Sequence, residues 1–316
     1  MSRTGSGPRA VRFSDGVAAL RAALDVRTNA NSEIVCGVPI SPPTLRLLVG
    51  PVPAAGRTVR FVDLDAPGAL AGVINRRTRV VLVEPGAGSD LREPGWDPIV
   101  EQIRAANAER FEEERVLLVI RSSTVLRPAV PSGLDETLIV RDRALRLGGL
   151  RAAGGEVSGA DRWIVAVEAH RAAVGGHGDA RFEAVEPDGA AALADAVAAE
   201  AIGHEALAAV TRREAFPTLV AIELAGSPGD AARRAERFAA ALVRVEGVAS
   251  ESGETPDPVL VVEDPAVVAS ADARTVELLG RRPGRLRLAA MGGALGAGVI
   301  RRALDASSPS SPSSPS

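Results

Sequence analysis

The chain has 316 residues, 46% apolar and 24% charged, which suits a soluble globular protein with one large core or two medium ones. Its 37 basic residues are all arginine and face 40 acidic ones, giving a net charge of -3. That balance excludes the positive field needed to hold nucleic acid or an anionic membrane surface. A single cysteine, Cys36, excludes an internal disulfide and a multi-cysteine metal cluster.

The opening MSRTGSGPRAVRF has no apolar h-region, and no stretch approaches the roughly 20 apolar residues that span a bilayer. A cytoplasmic protein is expected. From residue 13 onward, helix-like and strand-like segments alternate. DGVAALRAALDV has helical periodicity, SEIVCGV is a short β-rich run with Cys36 as a buried, inert thiol, PPTLRLLVGPV is helix-like, and RTVRFVDL alternates as a strand does. PGALAGVIN reads as a helix, TRVVLVE as a buried strand, and WDPIVEQIRAANAERFEEE as an amphipathic helix whose acidic end is solvated. RVLLVIRS and ETLIVRD are two further strands. Strands that are continuous apolar runs between helices predict a mostly parallel sheet covered on both faces.

From about residue 186 the pattern becomes an alanine-rich helix, GAAALADAVAAEAIGHEALAAVTRREA, expected to connect two lobes. PTLVAIELA, DAARRAERFAAALVRV, DPVLVVEDP, RLRLAAM and GAGVIRRALDA then suggest a smaller α+β lobe, and SSPSSPSSPS a disordered tail.

The order of these pieces resembles the Cys/Met-metabolism family of pyridoxal-phosphate enzymes, the cystathionine lyase and synthase group of fold type I. The family's Tyr-Ser-Arg-x-x-Asn-Pro-Thr is similar to MSRTGSGPR, its Ser-Gly-Met-Ala-Ala-Ile to SDGVAAL, and its Gly-x-x-Val-x-Phe-Val-Asp to GRTVRFVDL. Its Thr-(Lys/Arg)-x-(Val/Leu)-x-x-Glu-(Thr/Ser)-Pro-Ser-Asn-Pro is similar to TRVVLVEPGAGSD, and its Leu-x-Arg-Leu-Ser-Val-Gly to RLRLAAMGG. The resemblance implies an α/β, fold type I transferase-like architecture. A large, mostly parallel domain would cover 1–185, a connecting helix 186–215, a small C-terminal α+β domain 216–306 and the Ser-Pro tail 307–316.

It also implies where cofactor chemistry would sit, and those positions are altered. In the family a lysine within Ser-x-Thr-Lys carries the cofactor as a Schiff base. DRALRLGGL puts Asp142 at the serine, Ala144 at the threonine, Leu145 at the lysine and Arg146 at the following aromatic. The chain contains no lysine anywhere. Arg121, in LVIRSST, falls where an aspartate holds the protonated ring nitrogen, and Ser41, in SPPTLRLL, where a tyrosine stacks on the ring. Gly88 falls on the asparagine of Ser-Asn-Pro. Gly16 and Val17 occupy the phosphate loop, preceded by Asp15, whose negative charge opposes a phosphate dianion beside helix-start amides. Arg3 matches an arginine that reaches a neighbouring subunit's phosphate, and Arg287 one that binds the substrate carboxylate in a bidentate fork.

The residues outside this pattern offer little else. His170 and His177, spaced seven apart around Gly175 and Gly176, and His204 read as loop and helix-surface histidines with no metalloprotease pattern beside them. GGLRAAGGEVSG and GGALGAG lack a phosphate-loop lysine or a Rossmann context and read as turns or helix-packing glycines. Ser14, Ser122 and Ser123 have no adjacent base.

Three functions are therefore carried forward. The first is a pseudoenzyme: vestigial cofactor residues Arg3, Gly16, Val17 and Ser41, no catalytic residue, no metal and no retained pyridoxal phosphate, acting as scaffold or regulatory subunit in a homo- or hetero-oligomer with a related enzyme. The second is a transsulfuration-type subunit using pyridoxal phosphate without its own lysine. The third is an amino-acid binding module built on Arg287.

Overall fold

A computed structural model describes residues 9–123, 131, 134–142, 145–147, 150–152, 154–174, 187–214, 216–246, 259–261, 272–290 and 298–308. The chain divides into two compact units, Met1–Gly88 with Arg92–Leu145 and Arg151–Glu183, and Ser89–Leu91 with Arg146–Leu150 and Ala184–Ser316.

The first unit is built on a seven-stranded sheet of order β1-β9-β6-β5-β4-β2-β3. β2 (Glu33–Val38), β3 (Thr58–Asp63), β4 (Thr78–Val83), β5 (Leu117–Ser123) and β6 (Thr137–Asp142) run parallel. β9 (Gly155–Gly159) lies antiparallel to β6, and the edge strand β1 (Ala10–Phe13) antiparallel to β9. The inner strands are apolar on both faces because helices cover both. On one face α4 (Trp96–Ala108) sets Ile99, Val100 and Ile103 against Val35, Val81, Val83, Leu118 and Ile120. α1 (Gly16–Asp25) packs on β6 and β9, with α5 (Asp161–Val174) beside it. α2 (Pro42–Val49) and the short α3 (Pro51–Ala54) join β2 to β3. β7 (Leu145–Leu147) and β8 (Leu150–Ala152) form a separate two-stranded sheet.

Two features of this unit depend on single residues. α4 ends where the buried Asn107 turns both ends of its amide to Val116: Nδ2 donates to the Val116 carbonyl at 3.0 Å and Oδ1 accepts from the Val116 N–H at 2.7 Å. α1 sits so close to β9 that a Cβ on Gly155 would lie 2.2 Å from the Asp15 carbonyl oxygen and 2.7 Å from the Ala19 Cβ.

The second unit is a four-stranded antiparallel sheet of order β10-β11-β13-β12, formed by Leu207–Arg212, Leu219–Leu224, Arg285–Ala290 and Val259–Val261. α6 (Pro187–Ala201), α7 (Pro228–Glu246) and α9 (Val299–Ser307) pack around it, with a short α8 at Ala273–Leu278. Leu193, Val197, Ile222, Phe238, Leu288 and Ile300 share its core. Glu200 of α6 caps α9, its two carboxylate oxygens accepting from the Gly298 N–H at 2.8 Å and the Ile300 N–H at 3.0 Å.

The parallel strands, α1 and the α/β class follow the sequence reading; α4 does so as far as Ala108, and the acidic end expected to continue it forms a separate 3-10 turn at Glu112–Glu114. Three segments do not. PGALAGVIN is a series of turns, because Gly68 adopts φ +67° and breaks the helical path, while Leu70 still reaches the α4 core. The alanine-rich stretch expected as one helix over 186–215 ends at Ala201 and turns through Gly203, at φ +81°, into β10. GGLRAAGGEVSG, read as turns or packing glycines, contributes β8 and β9, with Gly155 and Gly159 inside the strand.

Among the described residues no helix is long and apolar enough to cross a membrane, and no group of three or more His, Cys, Asp and Glu side chains could hold a metal ion.

Candidate functional site

In open parallel sheets, ligands bind beyond the carboxyl ends of the strands. In the first unit those ends carry a polar cluster drawn from three elements. Arg121 stands near the end of β5 with 2% of its surface exposed. Its Nη1 donates to Ser41 Oγ at 3.2 Å and to Thr44 Oγ1, and lies 3.8 Å from Glu84 Oε1. Glu84, the first residue after β4, accepts through Oε2 from Thr44 Oγ1 at 2.7 Å and from the Ser41 N–H at 3.0 Å. Ser41 Oγ and Thr44 Oγ1 are 3.1 Å apart.

The parallel register explains the meeting: β4 and β5 pair directly, with Val83 opposite Ile120, so the residues that follow each emerge at one end of the sheet. Ser41 is the N-cap residue of α2, and Thr44 faces inward from its first turn. The carboxylate thus answers the helix-start donors and the guanidinium together, as a buried charge must. The Cys36 thiol on β2 is pushed well above its ordinary pKa by burial and, secondarily, by the Glu84 carboxylate. It is an inert core thiol.

At the start of α1, Asp15 is the N-cap residue. Its Oδ1 accepts from the Ala18 N–H at 2.7 Å and its Oδ2 from Ser14 Oγ at 3.2 Å, while its carbonyl accepts from the Ala19 N–H at 3.1 Å. Gly16 and Val17 form the first turn behind it.

The positions singled out from sequence separate as follows. Ser41 and Arg121 meet in the cluster. Gly88 lies buried in the turn after β4. Leu145 opens β7, and Arg146 follows it there. Arg287 belongs to the second unit, buried in the middle of β13 opposite Ala221 of β11. Its strand neighbour Arg285 pairs with Asp90 at 2.7 Å and Glu223 at 3.4 Å. Arg3, Ala144, His177 and the Ser-Pro tail lie outside the described residues. His170 on α5 sits 3.4 Å from Asp25, and His204 sits 3.0 Å from Asp305 while its Nδ1 accepts from the Ala206 N–H. Glu84 and Thr44 were missed by sequence reasoning. A carboxylate closing the apolar run TRVVLVE was the available signal for the first.

The architecture is that of fold type I transferases, a large unit on a mostly parallel sheet followed by a smaller α+β unit. Two solved structures show the likeness. A structure of O-acetylhomoserine sulfhydrylase of the methionine biosynthetic pathway of Wolinella succinogenes is 16% identical, aligns over 93% of this chain and 91% of its own, and gives a TM-score of 0.65. Cystathionine gamma synthase from Xanthomonas oryzae pv. oryzae, solved with aminoacrylate and cysteine, is 20% identical over 94% of this chain and 81% of its own, with a TM-score of 0.69. At these identities the likeness establishes the fold. No protein-family profile and no curated protein matches the chain.

The fold class implies pyridoxal phosphate at the strand ends, and the groups present there do not suit it. The chain has no lysine to bind the aldehyde. The carboxylate of Asp15 already takes the Ala18 amide at the start of α1. Arg121 and Glu84 are turned toward each other and toward the Ser41 and Thr44 hydroxyls.

Proposed function

We propose that the chain is a catalytically degenerate homologue of the Cys/Met-metabolism pyridoxal-phosphate enzymes, serving as a scaffold or regulatory subunit paired with a related, lysine-bearing enzyme of the same fold. The observation that carries the reading is Arg121. It stands where the resemblance calls for the acid that holds the ring nitrogen, and it is buried and bonded to Ser41, Thr44 and Glu84. An arginine repels a protonated ring nitrogen, and a chain without lysine forms no aldimine with its cofactor. The complete two-unit architecture around these changes supports a use for the fold apart from chemistry. Closed symmetric assemblies are the rule for soluble oligomers, and pairing would let a degenerate subunit act on an intact one.

The test is co-expression with a lysine-bearing enzyme of the same fold from the same genome, read by native mass spectrometry and by the partner's turnover. A mixed oligomer with altered partner kinetics is expected. A chain that remains a monomer and leaves the partner's rates unchanged would refute the proposal.

A further inference from the structure

Pyridoxal phosphate brings two opposed charges to a protein, an anionic phosphate and a protonatable ring nitrogen. The first unit holds one charge of each sign at the positions that the sequence resemblance assigns to the phosphate loop and to the partner of the ring nitrogen. At the start of α1 the negative charge is the Asp15 carboxylate, which receives the Ala18 N–H at 2.7 Å. It cannot withdraw by a shift of the helix away from its present seat without losing the contact at Gly155, where α1 and β9 approach too closely for even a Cβ. At the end of β5 the positive charge is the Arg121 guanidinium, whose counter-carboxylate, Glu84, comes from the neighbouring strand.

We infer that the chain's own side chains stand in for the two charged ends of the cofactor, so that the strand-end site is electrostatically complete and takes no pyridoxal phosphate even when an amine is supplied from elsewhere. A helix start that has accepted a carboxylate repels a second anion. A cluster centred on a buried guanidinium disfavours another cation, and a ligand entering there would have to separate Arg121 from Glu84 and the two hydroxyls. The inference rests on the loss of aldimine chemistry and adds its physical form: the site is closed by replacement of the cofactor, and the fold completes itself without one.

The experiment is a titration of the full-length chain with pyridoxal phosphate, followed by absorbance and by thermal shift, for the wild type, Asp15→Ser and Arg121→Gln. Serine keeps a capping oxygen while removing the charge. Circular dichroism confirms that each variant is folded. The wild type is expected to show no saturable binding and no thermal shift. Asp15→Ser is expected to bring saturable binding into the measured range, at least about tenfold above the wild type's detection limit, the scale of one anion at a helix start, and Arg121→Gln to strengthen it further. One saturable site per wild-type chain overturns the inference, and so does a folded Asp15→Ser protein whose affinity is unchanged. If Arg121→Gln does not fold, Asp15→Ser decides alone. The pairing proposal is read from mass and partner turnover, so the two fail separately: a wild-type chain that binds cofactor and still pairs retracts only this inference.

Discussion

Replacing Arg121 by methionine removes the donor to Ser41 and Thr44 and leaves the largely covered Glu84 carboxylate without that cation. Breaking a buried pair from one side costs about 3–5 kcal/mol. Glu84 keeps the Thr44 hydroxyl and the Ser41 amide as donors, which places the expected loss near the lower end, about 3 kcal/mol. Glu84→Gln retains an oxygen for those donors but removes the carboxylate charge that faces Arg121, and should cost about as much. The double variant removes both charges together. Its loss should therefore fall short of the sum of the singles by about 2 kcal/mol, within the range of directly coupled pairs. Urea unfolding at neutral pH, followed by circular dichroism, gives the four free energies of the cycle. Additivity to within about 0.5 kcal/mol would refute the claim that Arg121 and Glu84 form one unit.

Other perturbations test other joints. Gly155→Ala places a methyl 2.2 Å from the Asp15 carbonyl and should destabilise the first unit by about 1–3 kcal/mol as α1 is pushed off the sheet, read as a lower urea midpoint. Glu200→Ala strips the Gly298 and Ile300 amides of their acceptor and should cost about 1–2 kcal/mol, with hydrogen exchange rising at the start of α9. Because burial raises the Cys36 pKa in the folded state, stability is full below the ordinary thiol value of 9.0 and falls as pH rises beyond it, at up to about 1.4 kcal/mol per pH unit. Cys36→Ala should abolish that component of the slope, and a slope unchanged by the substitution would refute the assignment.

The sequence made the class of fold readable through local signals. TRVVLVE and RVLLVIRS are too apolar for any place but the middle of a covered parallel sheet, and DGVAALRAALDV carries its cap residue and its periodicity together. Reading failed where one glycine outweighed a run of helix formers. Gly68 turns PGALAGVIN into a chain of turns, and Gly203 redirects an alanine-rich helix into β10. The site was half legible. The polar or charged character of Asp15, Ser41 and Arg121 could be seen from residue type. Their partners could not, because Glu84 and Arg121 meet only through the register of β4 on β5, and no local pattern encodes that pairing.

The seven-stranded sheet also orders events during synthesis. Among the described residues its first strand, β1, pairs with β9 alone, and Phe13 faces Gly155. While the ribosome works through the intervening stretch of about 140 residues, the amino-terminal segment has no strand to join, for several seconds or longer at ordinary elongation rates. The edge of the large unit is therefore completed last although it is translated first. A nascent chain arrested before residue 155 should present β1 to proteases, and one arrested well beyond it should protect that segment.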